Sequence, residues 1–95
     1  MTFSPGAPVR VRDEWPERDG PVHVRTPHYV RGRSGAVVRP LGVFPDPGDI
    51  AFARQPAERR LYHVAFSLRE LWPDATGEEL VVEIYEHWLE PEARR

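Results

Sequence analysis

Proline and glycine interrupt this chain so often that they limit which elements it can form. The 95 residues include 11 Pro and 7 Gly. Proline removes a backbone donor and clashes with the preceding helical turn, so it ends or kinks a helix. No amphipathic helix longer than about three turns fits before the final third of the sequence. The sequence therefore predicts an all-β fold of short strands, within the length of one domain.

Apolar and polar residues alternate in several short segments, with the period of a half-buried strand. Strands are predicted at residues 8–12, 22–25, 36–39, 61–66 and 80–85. In the fourth of these, Tyr62, Val64 and Phe66 should point inward. Residues 86–90 are predicted as an extended or turn-like tail. Five short strands favour a small β-barrel, forming a single domain over residues 1–95 with a core at about 3–91.

The segments between the strands are rich in turn-forming residues. Residues 40–60 contain four Pro and two Gly, which predicts a long ordered loop docked through Phe44, Ile50 and Phe52. Residues 13–21 should form a surface loop anchored by Trp15. Ser67 and Glu70 have the spacing of a capping box and predict one helical turn, which Pro73 ends. Tyr62 and Trp72 are expected to anchor the core or an interface.

Composition excludes several classes of function. The 13 Lys+Arg, all of them Arg, against 15 Asp+Glu give a net charge of -2, which does not attract nucleic acid or an anionic membrane. The absence of Cys removes disulfides, thiolate ligands and a Cys nucleophile. No apolar run is long enough to cross a membrane and the first residues lack an apolar signal region, so a cytoplasmic location is expected.

Histidine and serine give no catalytic or metal-binding pattern. None of the four His has a neighbour at the spacing typical of metal ligands, so no metal site is expected in this chain. None of the three Ser lies in a nucleophile motif. One dense basic cluster remains, with an interleaved Tyr29; it comprises Arg25, His28, Arg31 and Arg33. It could bind nucleic acid, but the acidic balance of the whole chain favours anionic groups on a protein partner.

Five motifs in order resemble a known family. Residues 3–12 read F-x-P-G-x-P-V-R-V-R, residues 23–35 read H-V-R-T-P-H-Y-V-R-G-R-x-G, and residues 42–46 read G-V-F-P-D. Residues 61–72 and 84–91 read L-Y-H-V-A-F-S-L-R-E-L-W and I-Y-E-H-W-L-E-P. This order resembles the C-terminal domain of the nitrile hydratase β subunit and of related thiocyanate hydrolase subunits, over about residues 3–91.

The resemblance implies an SH3-like barrel and a supporting role in a hydro-lyase that converts a nitrile and water to an amide. In that family a Co(III) or Fe(III) centre is held by the α subunit, where two of its Cys ligands are oxidised to sulfenic and sulfinic acids. The β subunit supplies Arg side chains that bind these oxidised cysteines. That role falls on Arg25, in the H-x-R-x-P motif. The neighbours expected at the interface are His23, His28, Tyr29 and Arg31, and Arg31 is also expected to brace the turn before Gly32.

The sequence also departs from the family, because nothing in it corresponds to the helical N-terminal half of a β subunit. The expected partners are therefore an α subunit and a separate chain equivalent to that half. The chain alone should be inactive. The alternative is a small activator or metallochaperone that escorts the α subunit during metal loading. Neither the choice of nitrile nor that of cobalt or iron is encoded in this chain.

Overall fold

The computed structural model describes residues 2–19 and 25–92. It contains five strands: β1 (Pro8–Val11), β2 (Ser34–Pro45), β3 (Glu58–Ser67), β4 (Glu79–Tyr85) and β5 (Leu89–Pro91). Two short helices, α1 (Pro47–Ala51) and α2 (Leu68–Leu71), follow β2 and β3. The remaining helical elements are 3-10 turns at Pro16–Asp19, His28–Val30 and Glu86–Trp88. No helix within the described stretches has the length and apolar character needed to cross a membrane.

The strands form one antiparallel sheet in the order β4-β3-β2-β1-β5. The long strand β2 pairs with β1 through its first residues and with β3 along most of its length. Its register shifts between Val37 and Arg39 and again between Pro40 and Gly42, and such bulges bend a strand. In the described residues no ladder joins β4 to β5, so the sheet is open. The expected all-β, five-stranded architecture is confirmed, whereas closure into an SH3-like barrel is not shown.

The core lies on one face of this sheet, as the alternation in residues 61–66 predicts. Tyr62, Val64 and Phe66 of β3 are fully buried. They pack with residues from the other strands and from the connecting segments, including Val9, Val11, Val30, Val37, Ile84, Trp88 and Leu89. Leu80 and Val82 of β4 are partly buried against the same cluster. Removing large apolar side chains from water in this way is the main driving force for folding.

The fifth strand differs from the predicted one. Residues 22–24 of the strand predicted at 22–25 lie outside the described residues. The fifth strand of the sheet is β5, in the segment predicted as a tail. After the 3-10 turn at Glu86–Trp88 the chain becomes extended, and Leu89 pairs with Val11 of β1. The predicted tail forms a strand because it pairs with the free edge of β1. This long-range pairing cannot be predicted from the local sequence.

The prediction of a long loop at residues 40–60 is wrong. β2 continues to Pro45, α1 follows, and β3 begins at Glu58. The prolines are accommodated at permissive positions. Pro40 lies at a bulge of β2, and Pro47 occupies the first turn of α1, where its missing N–H is not needed. Asp46 caps α1 by accepting hydrogen bonds from the N–H groups of Gly48 and Asp49 at 2.8 and 3.1 Å.

The three apolar residues expected to dock this segment are exposed instead. Phe44 is 41% exposed, Ile50 55% and Phe52 42%. The β2–α1–β3 hairpin therefore presents them to its surroundings and does not pack them on the core. Several exposed apolar side chains on one hairpin are a common feature of surfaces that contact other molecules.

The helical turn after β3 is confirmed, although its details differ. The Ser67 hydroxyl accepts a hydrogen bond from Arg69 N at 3.3 Å, as a helix cap does. The Glu70 carboxylate does not complete a capping box and accepts a hydrogen bond from Ser34 N at 3.1 Å. Tyr62 is in the core, as expected. Trp72 is not, because it is 47% exposed and stacks at 5.6 Å on the half-exposed ring of Tyr29; an interface role for Trp72 stays a prediction.

Gly35 of β2 should be intolerant of any side chain. A Cβ atom at this position would lie 2.6 Å from the carbonyl oxygen of Ala65 and 2.9 Å from Cδ1 of Phe66. We expect Gly35→Ala to lower the free energy of unfolding by about 1–3 kcal/mol, because the backbone of β3 cannot move away without disturbing the core. Gly77→Ala is the control, since its Cβ would meet nothing within 4 Å. Urea unfolding curves that shift equally for both variants would contradict this packing.

Candidate functional site

Arg25 lies between two surface grooves. The first, which we call the Arg12 groove, has a volume of about 270 Å³, and its lining includes Arg12, Glu14, Arg25, Tyr85, His87 and Trp88. The second, the Tyr29 groove, has a volume of about 290 Å³, and its lining includes Arg25, Tyr29, Leu80, Val82 and Tyr85. Arg25 and Tyr85 line both grooves. Arg25 therefore borders both grooves, each of which has charged and apolar residues in its wall.

The other two Arg residues of the Arg12 groove have partners within the chain. Arg12 donates to the His87 carbonyl at 3.0 Å and lies 3.5 Å from the Glu90 carboxylate. Arg54 pairs with Asp49 at 3.2 Å. Arg25 is exposed and makes no ion pair with any carboxylate of residues 2–18 and 25–92. Of these three guanidiniums, that of Arg25 is the one whose charge is not balanced by the described part of the chain.

The backbone next to Arg25 is fixed although its side chain is exposed. Thr26 is only 5% exposed. Its carbonyl oxygen accepts a hydrogen bond from Nη2 of Arg31 at 2.9 Å. Pro27 follows and restricts Thr26 to extended conformations. Arg25 therefore projects from a segment whose C-terminal side is held in one position.

Arg31 is the buried centre of an ionic cluster whose other charged member, Glu17, is partly exposed. Its side chain has no exposed surface. Nη1 and Nη2 donate to the two carboxylate oxygens of Glu17, each at 2.8 Å, in the fork geometry that guanidinium and carboxylate share. The guanidinium carbon lies 4.7 Å from the ring centre of Trp15 and 4.8 Å from that of Trp88, a cation–π arrangement with both rings. We call the set Arg31, Glu17, Trp15 and Trp88 the Arg31 clamp.

The sequence predicted only part of this cluster. Trp15, expected to anchor its loop, does lie against Arg31. A structural role for Arg31 was expected as well, but its side chain reaches back to Glu17 and Thr26 and does not brace the turn at Gly32. Contact of Arg31 with a partner chain stays a prediction.

The remaining predicted interface residues are dispersed. His28 is exposed, with Nε2 3.2 Å from the Glu17 carboxylate and its ring against that of Trp15. Tyr29 is 46% exposed and lines the Tyr29 groove. His23 lies outside the described residues. The structure thus places Arg25 and Tyr29 on one groove, with His28 beside the Arg31 clamp, and the interface roles of His23, His28 and Tyr29 stay predictions.

His87 of the Arg12 groove was not singled out from the sequence. Desolvation lowers the pKa of this imidazole, and the positive charges of Arg59 and Arg12 lower it further. The ring is therefore neutral at neutral pH and can both donate and accept a hydrogen bond in the groove. The motif I-Y-E-H-W-L-E-P contains this residue, but its place in the groove depends on the pairing of β5 with β1.

The described part of the chain shows no metal site of its own. Within the described stretches no three His, Cys, Asp or Glu residues converge to a group that could hold an ion. The sequence also contains no Cys.

Three comparisons relate this chain to known proteins. The family profile described as "Nitrile hydratase beta subunit, C-terminal" matches residues 1–91. The nitrile hydratase subunit beta of Rhodococcus erythropolis is 42% identical over 95 residues, and the match covers 97% of this chain and 43% of that protein. The subunit beta of Pseudomonas chlororaphis is 38% identical, with 93% and 40% covered. This chain therefore spans less than half the length of these two relatives.

A solved structure has the same fold. It is described as thiocyanate hydrolase from Thiobacillus thioparus, recombinant apo-enzyme, and it superimposes with a TM-score of 0.81 at 30% sequence identity. The match covers 95% of this chain and 75% of that chain. The subunit alpha of the thiocyanate hydrolase of the same organism is 32% identical over 92 residues.

The ion pair of the Arg31 clamp should make stability depend on pH. The hydrogen bonds from Arg31 lower the pKa of Glu17 from its ordinary value of 4.5 to about 2. A carboxyl whose pKa is lower in the folded state stabilises that state above pH 4.5, and this contribution is lost as the pH falls from 4.5 to about 2. We expect Glu17→Gln to be less stable than the wild type at pH 7, and the difference to shrink below pH 4.5.

Urea unfolding of both proteins between about pH 7 and pH 3 measures this difference. The exposed Glu79→Gln, which removes the same charge from the end of β4, is the control and should change stability little at either pH. A difference between wild type and Glu17→Gln that stays constant over this range would show that the clamp does not depend on the charge of Glu17.

Proposed function

The chain belongs to the family defined by the C-terminal domain of nitrile hydratase β subunits, and from this premise we propose that it is the non-metal subunit of a heteromeric nitrile hydratase. The complex would add water to a nitrile to give an amide. The match to β subunits of nitrile hydratases over nearly the whole chain supports this reaction. The proposed partners are an α subunit and a separate polypeptide equivalent to the N-terminal half of β.

The observation that carries the proposal is the setting of Arg25. The residue is exposed, it has no ion pair within the described stretches, and it borders both grooves. Its proposed ligands are the oxidised cysteines of the α subunit, whose sulfenate and sulfinate oxygens are anionic acceptors. A guanidinium holds two such oxygens with parallel hydrogen bonds, which fixes both distance and orientation. An Arg without an ion pair to the described residues, next to the hydrogen-bonded Thr26, suits this task.

The proposed contribution of this chain is electrostatic and geometric. The metal centre would lie in the α subunit and supply Lewis-acid activation of the nitrile. Arg25 would keep the oxidised cysteines in one orientation and in the ionised state. Covering the centre also excludes bulk water, and a guanidinium interacts more strongly with an oxyanion when water is excluded.

The exposed apolar residues of the β2–α1–β3 hairpin also support a role inside a complex. Phe44, Ile50 and Phe52 remain exposed in the chain by itself. Burial against another subunit would remove this apolar surface from water, which stabilises an assembly.

Arg25→Lys should separate charge from geometry. Lys keeps the positive charge but loses the planar fork, so the fold and assembly should survive while turnover falls by about 10- to 100-fold. The measurement is the steady-state rate of nitrile hydration by the reconstituted complex, with assembly checked by gel filtration. Arg33→Lys, a like change at an exposed position outside both grooves, is the control and should leave the rate unchanged. Equal losses in both variants, or none in either, would show that Arg25 does not act on the metal centre.

The stoichiometry of the complex tests the role of the whole chain. Because it has no thiol and no converging ligands in its described part, the isolated chain should bind no stoichiometric cobalt or iron and hydrate no nitrile. The purified active complex should contain one copy for each α subunit. Metal analysis of the isolated chain and quantitative mass spectrometry of the complex provide the two readouts. An active, metal-loaded enzyme from which this chain has departed would instead identify it as an escort for the α subunit.

A further inference from the structure

We infer that Arg31 is a positioning residue for Arg25 and that the Arg31 clamp sets where the Arg25 guanidinium meets its ligand. This inference rests on the proposed function of Arg25. Arg31 itself would touch neither substrate nor metal centre, because its side chain is wholly buried. It would act through the backbone, by way of the Thr26 carbonyl.

Arg25 depends on its neighbours for its position. It has no ion pair within the described stretches, so its side chain is oriented from the backbone. The adjacent Thr26 is buried, and Nη2 of Arg31 holds its carbonyl oxygen at 2.9 Å. One peptide unit therefore separates the functional residue from a buried anchor. Precise placement of a binding group requires that kind of support from surrounding residues.

The anchor is rigid because most of its hydrogen-bonding groups are used. A guanidinium has five N–H donors, and four hydrogen bonds run from Nη1 and Nη2 of Arg31 to Glu17, Glu14 and Thr26. The rings of Trp15 and Trp88 also lie against it. With both rings and four hydrogen bonds engaged, the guanidinium cannot rotate or shift without losing several contacts together.

A buried charge is an expensive way to stabilise a core, which itself indicates a positional role. Burying the guanidinium of Arg31 costs desolvation free energy that its contacts must offset, and an apolar side chain of similar volume often stabilises a protein equally well. An apolar residue at position 31 could fill the space between Trp15 and Trp88. It could not hold the carbonyl oxygens of Glu14 and Thr26. Only Arg at this position can hold both backbone carbonyl groups in a fixed geometry.

The clamp also connects Arg25 to the sheet. Glu17 belongs to the 3-10 turn at Pro16–Asp19, and Trp88 immediately precedes β5. Thr26 and Trp88 line the Arg12 groove together with Arg25. A displacement of the clamp would thus move Arg25 relative to the groove that it borders. Through these contacts the position of Arg25 depends on the position of the sheet.

Glu17→Gln weakens the clamp with little change in volume. One amide oxygen can still accept from Nη1 or Nη2, but the amide NH₂ group then faces the other donor. Arg31 also remains charged without its counter-ion. We expect the segment at residues 25–30 to become looser while β3 keeps its packing. Arg31→Lys is the second variant, since it keeps the charge but loses the fork and the stacked plane.

Hydrogen exchange of the full chain, followed by mass spectrometry, tests the positioning directly. In Glu17→Gln we expect the amides at residues 25–30 to exchange about tenfold faster than in the wild type, and those of β3 to be unchanged. Glu79→Gln, which removes one carboxylate outside both grooves and the clamp, should exchange like the wild type. Unchanged exchange at residues 25–30 in Glu17→Gln and Arg31→Lys would overturn the inference.

A double-mutant cycle distinguishes positioning from a general structural role. In the reconstituted complex, Glu17→Gln should lower turnover about tenfold when Arg25 is present, and have little effect when Arg25 is already Lys. A similar loss in both backgrounds would mean that the clamp supports the complex generally and does not act through Arg25. Should Arg25→Lys alone leave turnover unchanged, the proposed function fails, and the exchange experiment still decides whether the clamp holds the segment.

Discussion

The buried guanidinium of Arg31 is the contact through which the irregular parts of this chain are attached to its sheet. Three segments meet at it: the turn that carries Glu17, the segment that carries Thr26, and the turn that carries Trp88. Backbone hydrogen bonds, such as the one from Arg12 N to the Trp88 carbonyl at 2.9 Å, hold these segments only in part. A charge-assisted, bidentate pair enclosed by two aromatic rings supplies the directional contacts that a strand would obtain from its neighbours. Loss of Glu17 would leave the buried guanidinium of Arg31 without its counter-ion, which would lower the free energy of unfolding.

Local patterns predicted the parts of the fold that local forces determine. The alternation in residues 61–66 and 80–85 identified β3 and β4 and the residues that point inward, because side-chain period follows directly from strand geometry. The helical turn after β3 was also predicted, since the Ser67 cap acts within two residues. The loop assignment for residues 40–60 was wrong because proline was interpreted only as an interruption. Bulges and a capped first turn accommodate those prolines, and the bulges arise from pairing with β3.

Burial of individual aromatic residues and the layout of the site could not be predicted from local sequence. Tyr62 and Trp72 are both large aromatics in strongly patterned segments, yet one is in the core and the other is exposed. Arg25 was identified through the motif around it, whereas its supports come from distant positions. Glu17 reaches Arg31 from the 3-10 turn after β1 and Trp88 from the turn before β5, so the Arg31 clamp joins positions that are distant in the sequence. His87 likewise meets distant residues in the Arg12 groove.

Arg25 differs from most of the other arginines in how its charge is balanced within the described part of the chain. Many of the others already have a use in the fold: Arg59 pairs with Asp46 at 2.9 Å and Arg60 with Glu86 at 3.5 Å. Lack of an ion pair is not sufficient, since Arg33 on the exposed surface has none within the described residues either. Arg25 combines an unbalanced charge with a place at two grooves and a buried, hydrogen-bonded neighbour. A cation that projects from a fixed backbone can bind an oxyanion with a smaller loss of conformational freedom, which is the physical meaning of preorganisation.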